Sequence, residues 1–227
     1  MILTIDGPAG AGKSTVARRL ARRLGFRYLD TGAMYRAFTL AAVETGTDLR
    51  DENALVALVR SRTLSFREGA DGGQRVMLDG RDVTDEIRRE EITRSAVFLA
   101  DAVRVREELV AKQREIGRSC DLVTEGRDQG TVVFPDAERK FYLDADPEER
   151  ARRRQTELER RGETTDAARL REEMSRRDAG DLARTVGGLK KAAGSIVIDS
   201  TRLDAHQVVE AILGHLPAEV RERPGPR

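Results

Sequence analysis

The sequence predicts a three-layer α/β fold on a five-stranded parallel sheet, and three observations carry that expectation. Five short apolar runs, at 2–5, 27–29, 122–124, 140–143 and 195–198, have the length and composition of buried strands. Helical patterns separate them, the signature of β-α-β units whose sheet is covered on both faces. Directly after the first run stands Gly7-Pro8-Ala9-Gly10-Ala11-Gly12-Lys13-Ser14, which matches G-x-x-x-x-G-K-[ST], the phosphate-cradling P-loop.

The context of that motif is the one its chemistry needs. A strand precedes it, and a helix follows with Val16, Ala17, Leu20, Ala21 and Leu24 on one face before Gly25 stops it. The glycines let backbone N–H groups close around phosphate oxygens, and the helix turns its positive end toward them. Lys13 is expected to bridge the terminal phosphates, the Ser14 hydroxyl to hold Mg²⁺, and Thr15 to complete the segment against the ATP phosphates. The match implies a nucleoside triphosphate donor and leaves the acceptor open.

The second strand ends in Asp30-Thr31-Gly32-Ala33-Met34-Tyr35-Arg36, which opens a helix where ligands of doubly wound sheets gather. From about 60 to 85 the β-α rhythm breaks. Two strand-like runs, Thr63–Phe66 and Arg75–Leu78, flank the turn-rich Gly69-Ala70-Asp71-Gly72-Gly73, which predicts a β-hairpin inside an insertion. The third strand leads into Glu125-Gly126-Arg127-Asp128-Gln129-Gly130, where two glycines around an Arg-Asp pair allow close backbone approach.

After the fourth strand, Asp146-Pro147-Glu148-Glu149 reads as a helix start with an acidic N-cap and Pro at N1. That helix runs through Arg150, Arg153, Arg154 and Arg161 to a break at Gly162, with almost no apolar face. Two readings apply to it. One is a solvated helix held by pairs such as Glu149–Arg153; the other, preferred after a P-loop, is a mobile lid closing arginines onto phosphates. Further on, Arg177, Asp181 and Arg184 fall at i, i+4 and i+7 of a helix, one face presenting plus, minus, plus. That face suits self-pairing, or a grip on a sugar hydroxyl and a phosphate. Residues 221–227, with two prolines and a glycine, are expected to be a disordered tail.

Composition narrows the function classes. A chain of 227 residues, 39% hydrophobic and 36% charged, fits one α/β domain with appendages. No stretch approaches the roughly 18 apolar residues of a membrane span, so no membrane partner is expected. The first residues read as a buried strand without a basic region ahead of it, so no signal peptide is expected. Cys120, the single cysteine, excludes an internal disulfide and fits a cytoplasmic protein. His206 and His215 have no cysteine cluster near them, which argues against zinc. The net charge of +1 comes with acidic and basic residues interspersed, so no duplex nucleic-acid face is expected. Of 41 basic residues 36 are arginine, a bias that genomic composition largely explains, although arginine is also the side chain for bidentate phosphate contact.

With these segments in place, the chain resembles the bacterial cytidylate kinases of the nucleoside monophosphate kinase group. The resemblance spans Ile5-Asp6-Gly7 to Ile198-Asp199-Ser200. Its most specific pieces are Asp30–Arg36, Gly126-Arg127-Asp128 with Gly130–Ala137, and Arg177-Asp178 with Asp181 and Arg184. It implies a P-loop core (1–33, 86–145 and 169–220), a monophosphate-binding insertion (34–85) and a helical lid (146–168) within a single kinase domain. It also implies that Arg36, Arg127 and Arg184 hold the acceptor phosphate, that Arg177 and Asp181 contact the ribose, and that Thr31, Arg106 and Asp128 read cytosine. That last set makes chemical sense. Cytosine offers an amino donor beside a ring-nitrogen acceptor, and uracil inverts the pattern, leaving the carboxylate without its partner.

The chain departs from the family pattern at three places. Val97 stands where a serine helps position the base, with Ser95 as the alternative hydroxyl. Gln129 replaces a usually apolar residue. Thr185–Gly194, expected on the donor-nucleotide side, lacks a proline before the leucine and an aspartate near its end. The function the resemblance implies is transfer of the ATP γ-phosphoryl group to CMP or dCMP with Mg²⁺, by a monomer whose partners are these nucleotides. Lys13, Arg127 and Arg184 are the expected catalytic residues, with Arg150, Arg153 and Arg154 as lid candidates. The rival readings are a kinase for UMP, AMP or shikimate and a catalytically weak nucleotide-binding regulator. A GTPase switch is disfavoured because no N/T-K-x-D guanine reader occurs.

Overall fold

The protein is described from a computed structural model, which covers residues 1–69, 73–160, 162 and 165–222. In chain order the first elements are β1 (Ile2–Asp6), α1 (Lys13–Leu24), β2 (Arg27–Asp30), α2 (Thr31–Glu44) and α3 (Glu52–Ser61). Next come β3 (Leu64–Glu68), β4 (Gln74–Leu78), β5 (Arg81–Asp82), α4 (Glu90–Asp101) and α5 (Val103–Arg118). β6 (Leu122–Gly126), β7 (Arg139–Asp144), α6 (Pro147–Glu159) and α7 (Ala167–Ala183) follow, then β8 (Ile196–Asp199), α8 (Ala205–Gly214) and α9 (Ala218–Arg221). They group into two compact units, one of residues 1–29 with the chain from 120 onward, the other of residues 30–119.

The first unit is built on a five-stranded sheet in the order β2-β6-β1-β7-β8. β1 pairs in parallel with β6 (Ile2 opposite Leu122) and with β7 (Leu3 opposite Arg139), and β7 pairs in parallel with β8. The five strands are the five apolar runs of the sequence, and β1, the middle strand of that order, is buried along most of its length. Leu3, Ile5, Val123, Phe141 and Leu143 pack with the α1 stripe Val16, Ala17, Leu20, Ala21 and Leu24, and with Val208, Val209, Ile212 and Leu213 of α8. α1 ends at Gly25, and α8 begins with a capping box in which Asp204 accepts from the His206 and Gln207 amides while Gln207 reaches back to the Asp204 amide.

The second unit holds the hairpin expected from the sequence. β3 and β4 pair antiparallel with Leu64 opposite Leu78, and β5 adds a short third strand; the turn residues 70–72 lie outside the described residues. The unit's core takes Met34, Ala37 and Phe38 from α2, Leu55 and Val59 from α3, Leu99 from α4, and Val105 and Leu109 from α5. The compact grouping is wider than the insertion expected over 34–85, because α4 packs on α2 and α5 on α3. The tail expected to be disordered falls mostly on 223–227, outside the described residues, whereas Arg221 closes α9 and Glu222 follows it.

The α6 helix corrects one expectation. It does carry an apolar contact: Ala151 and Leu158 are buried against Leu170 and Met174 of α7, with Ala9 packed beside them. Two small apolar positions seven residues apart are enough for one helix–helix seam, yet too sparse to register among ten or so charged neighbours.

Leu20 is wholly buried on the α1 stripe, whereas Arg19 beside it is exposed. Leu20→Ala is expected to lower the unfolding free energy by about 2–5 kcal/mol and Arg19→Ala to change it by less than about 0.5 kcal/mol, both read from urea titrations.

Candidate active site

The end of β1 delivers the glycine loop. A Cβ on Gly7 would stand 2.0 Å from the Leu143 carbonyl oxygen, so only glycine lets the loop press onto β7. Gly12 caps α1 from the left-handed region (φ 89°), and no side chain bonds the helix's first amides. Those amides are available to an anion at the positive end of the helix. Lys13 folds back and donates from Nζ to the Pro8 carbonyl at 2.7 Å. Burial, then the charges of Arg127 and Arg177, push its ammonium down to about 7 against the opposing pull of Glu125 and Asp181. Ser14 Oγ donates to Glu125 Oε1 at 2.7 Å, and the Tyr28 hydroxyl donates to the same oxygen at 3.4 Å.

The same unit assembles the arginine cluster. Arg127 Nε donates to Asp181 Oδ2 at 2.7 Å, and Arg184 Nη1 donates to Asp181 Oδ1 at 3.1 Å. Burial alone would raise the Asp181 carboxyl. The charge and hydrogen bond of Arg127, with Arg177 and Arg184, outweigh that and hold it below the usual range. Arg127 is held above its ordinary value, because Asp181, Glu125 and Asp178 outweigh its own burial. Arg177 and Asp181 lie on α7 and Arg184 caps its end, so the i, i+4, i+7 pattern does place one carboxylate among guanidiniums. The loop after α7 folds back on it: Leu189 N donates to the Asp181 carbonyl at 2.8 Å, and a Cβ on Gly188 would stand 2.5 Å from the Arg184 oxygen. Glycine in place of the expected proline thus has a steric reason. Later in that loop Ala192 is buried, and Lys191 Nζ lies 4.9 Å from the Tyr142 ring centre.

Asp128 sits at the start of a π-type turn, 129–133, in which its carbonyl accepts from the amides of Thr131, Val132 and Val133. The carboxylate of Asp6 fastens that turn, accepting from Gln129 N at 2.9 Å and Gly130 N at 2.8 Å. Burial pushes the Asp6 carboxyl up to about 6 despite these two bonds, and the nearby Asp128 charge adds to the rise. Gln129 is buried, and its Oε1 accepts from Thr124 Oγ1 at 2.8 Å.

The α6–α7 pair carries the lid candidates. Asp146 caps α6, accepting from the Glu148 amide, with Pro147 in the first turn, as the sequence predicts. Arg150 is buried: it donates from Nε to the Ala145 carbonyl at 3.1 Å, and from Nη1 to the Ala9 carbonyl at 3.0 Å and to Asp178. Asp178 in turn accepts from the Ala9 amide at 3.3 Å. Arg153 pairs with Glu149 at 2.8 Å and donates to the Ser200 carbonyl at 2.6 Å and to Ser200 Oγ at 3.1 Å. Hydrogen bonds from Arg152 and Arg153 hold the Glu149 carboxyl down to about 2. Arg154 pairs with Glu157 at 2.8 Å. Arg161, the last expected arginine of this helix, lies outside the described residues.

Within the second unit Asp30 caps α2, accepting from the Ala33 amide at 2.8 Å, and pairs with Arg36 at 3.2 Å. Thr31 is buried in the first turn. Arg106 is buried, donates to the Ala100 carbonyl at 3.2 Å and lies 5.6 Å from the Tyr35 ring centre. Val97 is 46% exposed on α4.

Sequence reasoning missed Asp6, Glu125, Gln129 and Asp178 as members of these networks. Asp6, Glu125 and Asp178 act on residues more than a hundred positions away, and Gln129 bonds Thr124 across the turn from β6; no spacing rule signals either. Among the described residues no group of three His, Cys, Asp or Glu side chains could hold a metal, and no helix is long and apolar enough to cross a membrane.

Comparison with known proteins places the chain. A family model described as cytidylate kinase matches residues 3–218. A cytidylate kinase of Pelotomaculum thermopropionicum is 46% identical over 220 residues, covering 97% of this chain and 97% of that protein. Cytidylate kinases of Geobacillus kaustophilus and Pseudomonas aeruginosa are each 47% identical, over 93% and 94% of this chain and 94% of each relative. With the P-loop, the Arg127–Asp181–Arg184 cluster and the Asp128 turn all inside the matched span, the chain belongs to the cytidylate kinase family.

Proposed function

We propose that this protein transfers the γ-phosphoryl group of ATP to the 5′-phosphate of CMP or dCMP, giving ADP and CDP or dCDP. The observation that carries the reading is the first unit's pairing of an uncapped P-loop helix and buried Lys13 with the arginines gathered on Asp181. Phosphoryl transfer asks little covalent chemistry of a protein; positioning and charge stabilisation dominate. The uncapped amides of α1 receive donor phosphate oxygens, and Lys13 exchanges the Pro8 carbonyl for them. Arg127 and Arg184 offer N–H groups to the acceptor phosphate while Asp181 keeps them in register and, with Arg177, meets the ribose. Asp128 accepts from the cytosine amino group. Thr31, Arg36 and Arg106 are the second unit's own candidates for nucleotide contact, as the resemblance implies.

The donor set near the P-loop fits Mg²⁺ that arrives with ATP. Ser14 gives its hydrogen to Glu125, so its oxygen lone pairs remain for a hard cation, and Mg²⁺ needs only one or two protein oxygens beside phosphates and water. Bound there, the ion would neutralise charge on the phosphates.

Segment 146–168 acts as the lid and 34–85 as the monophosphate-binding insertion in this reading. Arg153 and Arg154 are its candidate lid contacts to phosphate. Arg150, wired to the Ala9 backbone, supports the P-loop as well. The protein works as a cytoplasmic monomer.

Three outcomes test the reading. Arg127→Ala and Arg184→Ala should each lower turnover of CMP by about a hundredfold or more, since each removes a charge-assisted phosphate contact; near-normal turnover in both would sink the assignment. Asp128→Asn should lower the preference for CMP over UMP, read as the ratio of kcat/KM values; an unchanged ratio removes its base-reading role. Lys13 supplies the pH dependence. Its nucleotide-free value near 7 must rise when phosphate anions surround it, so ATP binding takes up a proton above pH 7 and none well below it. Calorimetry in buffers of different ionisation enthalpy should show uptake approaching one proton near pH 8.5, and ATP affinity falling by up to about tenfold per pH unit there. Proton-neutral binding at that pH would refute the linkage.

A further inference from the structure

Asp178 has no place among the nucleotide contacts assigned above, although it stands beside Arg177 in one of the chain's most specific segments. Both of its carboxylate oxygens are engaged. Oδ2 accepts from Arg150 Nη1, and Oδ1 accepts from the Ala9 amide at 3.3 Å. Arg150 closes the triangle: the same Nη1 donates to the Ala9 carbonyl at 3.0 Å, while its Nε donates to the Ala145 carbonyl at 3.1 Å. One largely buried ion pair thus holds Ala9 by both of its backbone groups. Packing reinforces it. A Cβ on Gly10 would stand 2.9 Å from the Arg150 carbonyl oxygen and 2.9 Å from Met174 Cε, so the turn of the P-loop lies directly on α6 and α7.

The anchor comes from the helix turn that also carries Asp181. Asp178 and Asp181 are three residues apart on α7, so they share a face and stand about 4.5 Å apart along its axis. Asp181 gathers Arg127 and Arg184, and its own carbonyl accepts from Leu189 N at 2.8 Å, which fixes the end of the turn. The charge of Asp178 reaches Arg127 as well and helps hold that guanidinium above its ordinary value. One turn of helix therefore joins the P-loop backbone to the arginine cluster, through two carboxylates with different partners. A hydrogen-bonded helical turn has little give, so the span between the two sites is fixed with it. In-line transfer is sensitive to that span, since a misplacement of about 1 Å costs about a hundredfold in rate.

We propose that Asp178 is a positioning residue for phosphoryl transfer: by tying the Ala9 backbone to the turn of α7 that carries Asp181, it sets the distance between donor phosphates on the P-loop and the acceptor phosphate on Arg127 and Arg184. The proposal rests on the proposed placing of those two phosphates. It gives Asp178 no contact with either nucleotide, and gives Arg150 the part of holding the carboxylate in place.

Steady-state kinetics with ATP and CMP, calorimetric affinities for both nucleotides and thermal melting test this role. Asp178→Ala should lower kcat by about thirtyfold and leave KM and affinity for each nucleotide within about threefold, because each phosphate site keeps its own ligating groups. It also leaves Arg150 buried without its partner, which lowers the melting temperature. An Arg150→Met background separates stability from positioning, since the stranded charge is gone and any contribution of Arg150 itself cancels. In that background Asp178→Asn keeps an oxygen for the Ala9 amide, and Asp178→Leu, of nearly the same shape, does not. The Asn double variant should turn over CMP at least about fivefold faster per folded molecule than the Leu double variant, whichever of the two melts higher. Should either double variant fail to fold, Asp178→Ala assayed well below its melting temperature carries the test through kcat per folded molecule. Equal turnover in the two double variants, or wild-type kcat in Asp178→Ala whatever its melting temperature, would overturn the role of Asp178. Near-normal turnover of CMP in Arg127→Ala, measured alongside, would overturn the placing of the acceptor phosphate instead.

Discussion

The carboxylate of Asp181 is the interaction on which the rest of the site depends. Lys13, Arg127 and Arg184 are held largely out of water, and cations brought together away from solvent repel each other and lose hydration. Asp181 takes one hydrogen bond from each of the two arginines and draws the field of Arg177 as well. It makes an anion-ready cluster tolerable before any anion arrives. Lys13 shows the limit of that compensation: it remains so poorly solvated that its ammonium falls to about 7. In the proposed function a nucleotide supplies the missing negative charge, so its binding would relieve an electrostatic penalty that folding alone leaves in place.

A second constraint acts on the backbone. The P-loop is held against β7 at Gly7 and fastened to the helical pair by Arg150, which joins the Ala9 carbonyl to Asp178 while Asp178 takes the Ala9 amide. Arg150 is buried, and a buried guanidinium is stable only when nearly all its N–H groups are used. The turn that carries Asp128 is fastened likewise, by Asp6 through two backbone amides. Both loops are thus held through their backbone amides by carboxylates distant in the chain, and rigid support of that kind is what positional catalysis requires.

Much of this was legible in the chain. The α1 stripe from Val16 to Leu24, the Asp146-Pro147 helix start, the Glu149–Arg153 pair and the hairpin around residues 64–78 follow from spacing and local chemistry, and the structure has them. The face of α7 carrying Arg177 and Asp181 was also readable, since helical periodicity is a property of neighbours in sequence. The Ser14–Glu125, Asp6–Gly130 and Ala9–Asp178 bonds join residues more than a hundred positions apart, and no periodicity encodes them. The apolar seam of α6 was hidden for a related reason, because Ala151 and Leu158 matter only once α7 lies against them.

By itself the sequence determined the element order, the parallel sheet and the phosphate loop, because strand burial, helix stripes and glycine turns are written in local residue type. It also carried the motifs that place the chain in its family. Only the tertiary structure decided which carboxylate answers which cation, why Gly188 stands where proline was expected, and that Gln129 faces Asp128 from within the core. Those outcomes depend on distances across the fold, and charge and hydrogen-bond energies are set by distance and burial rather than by order along the chain.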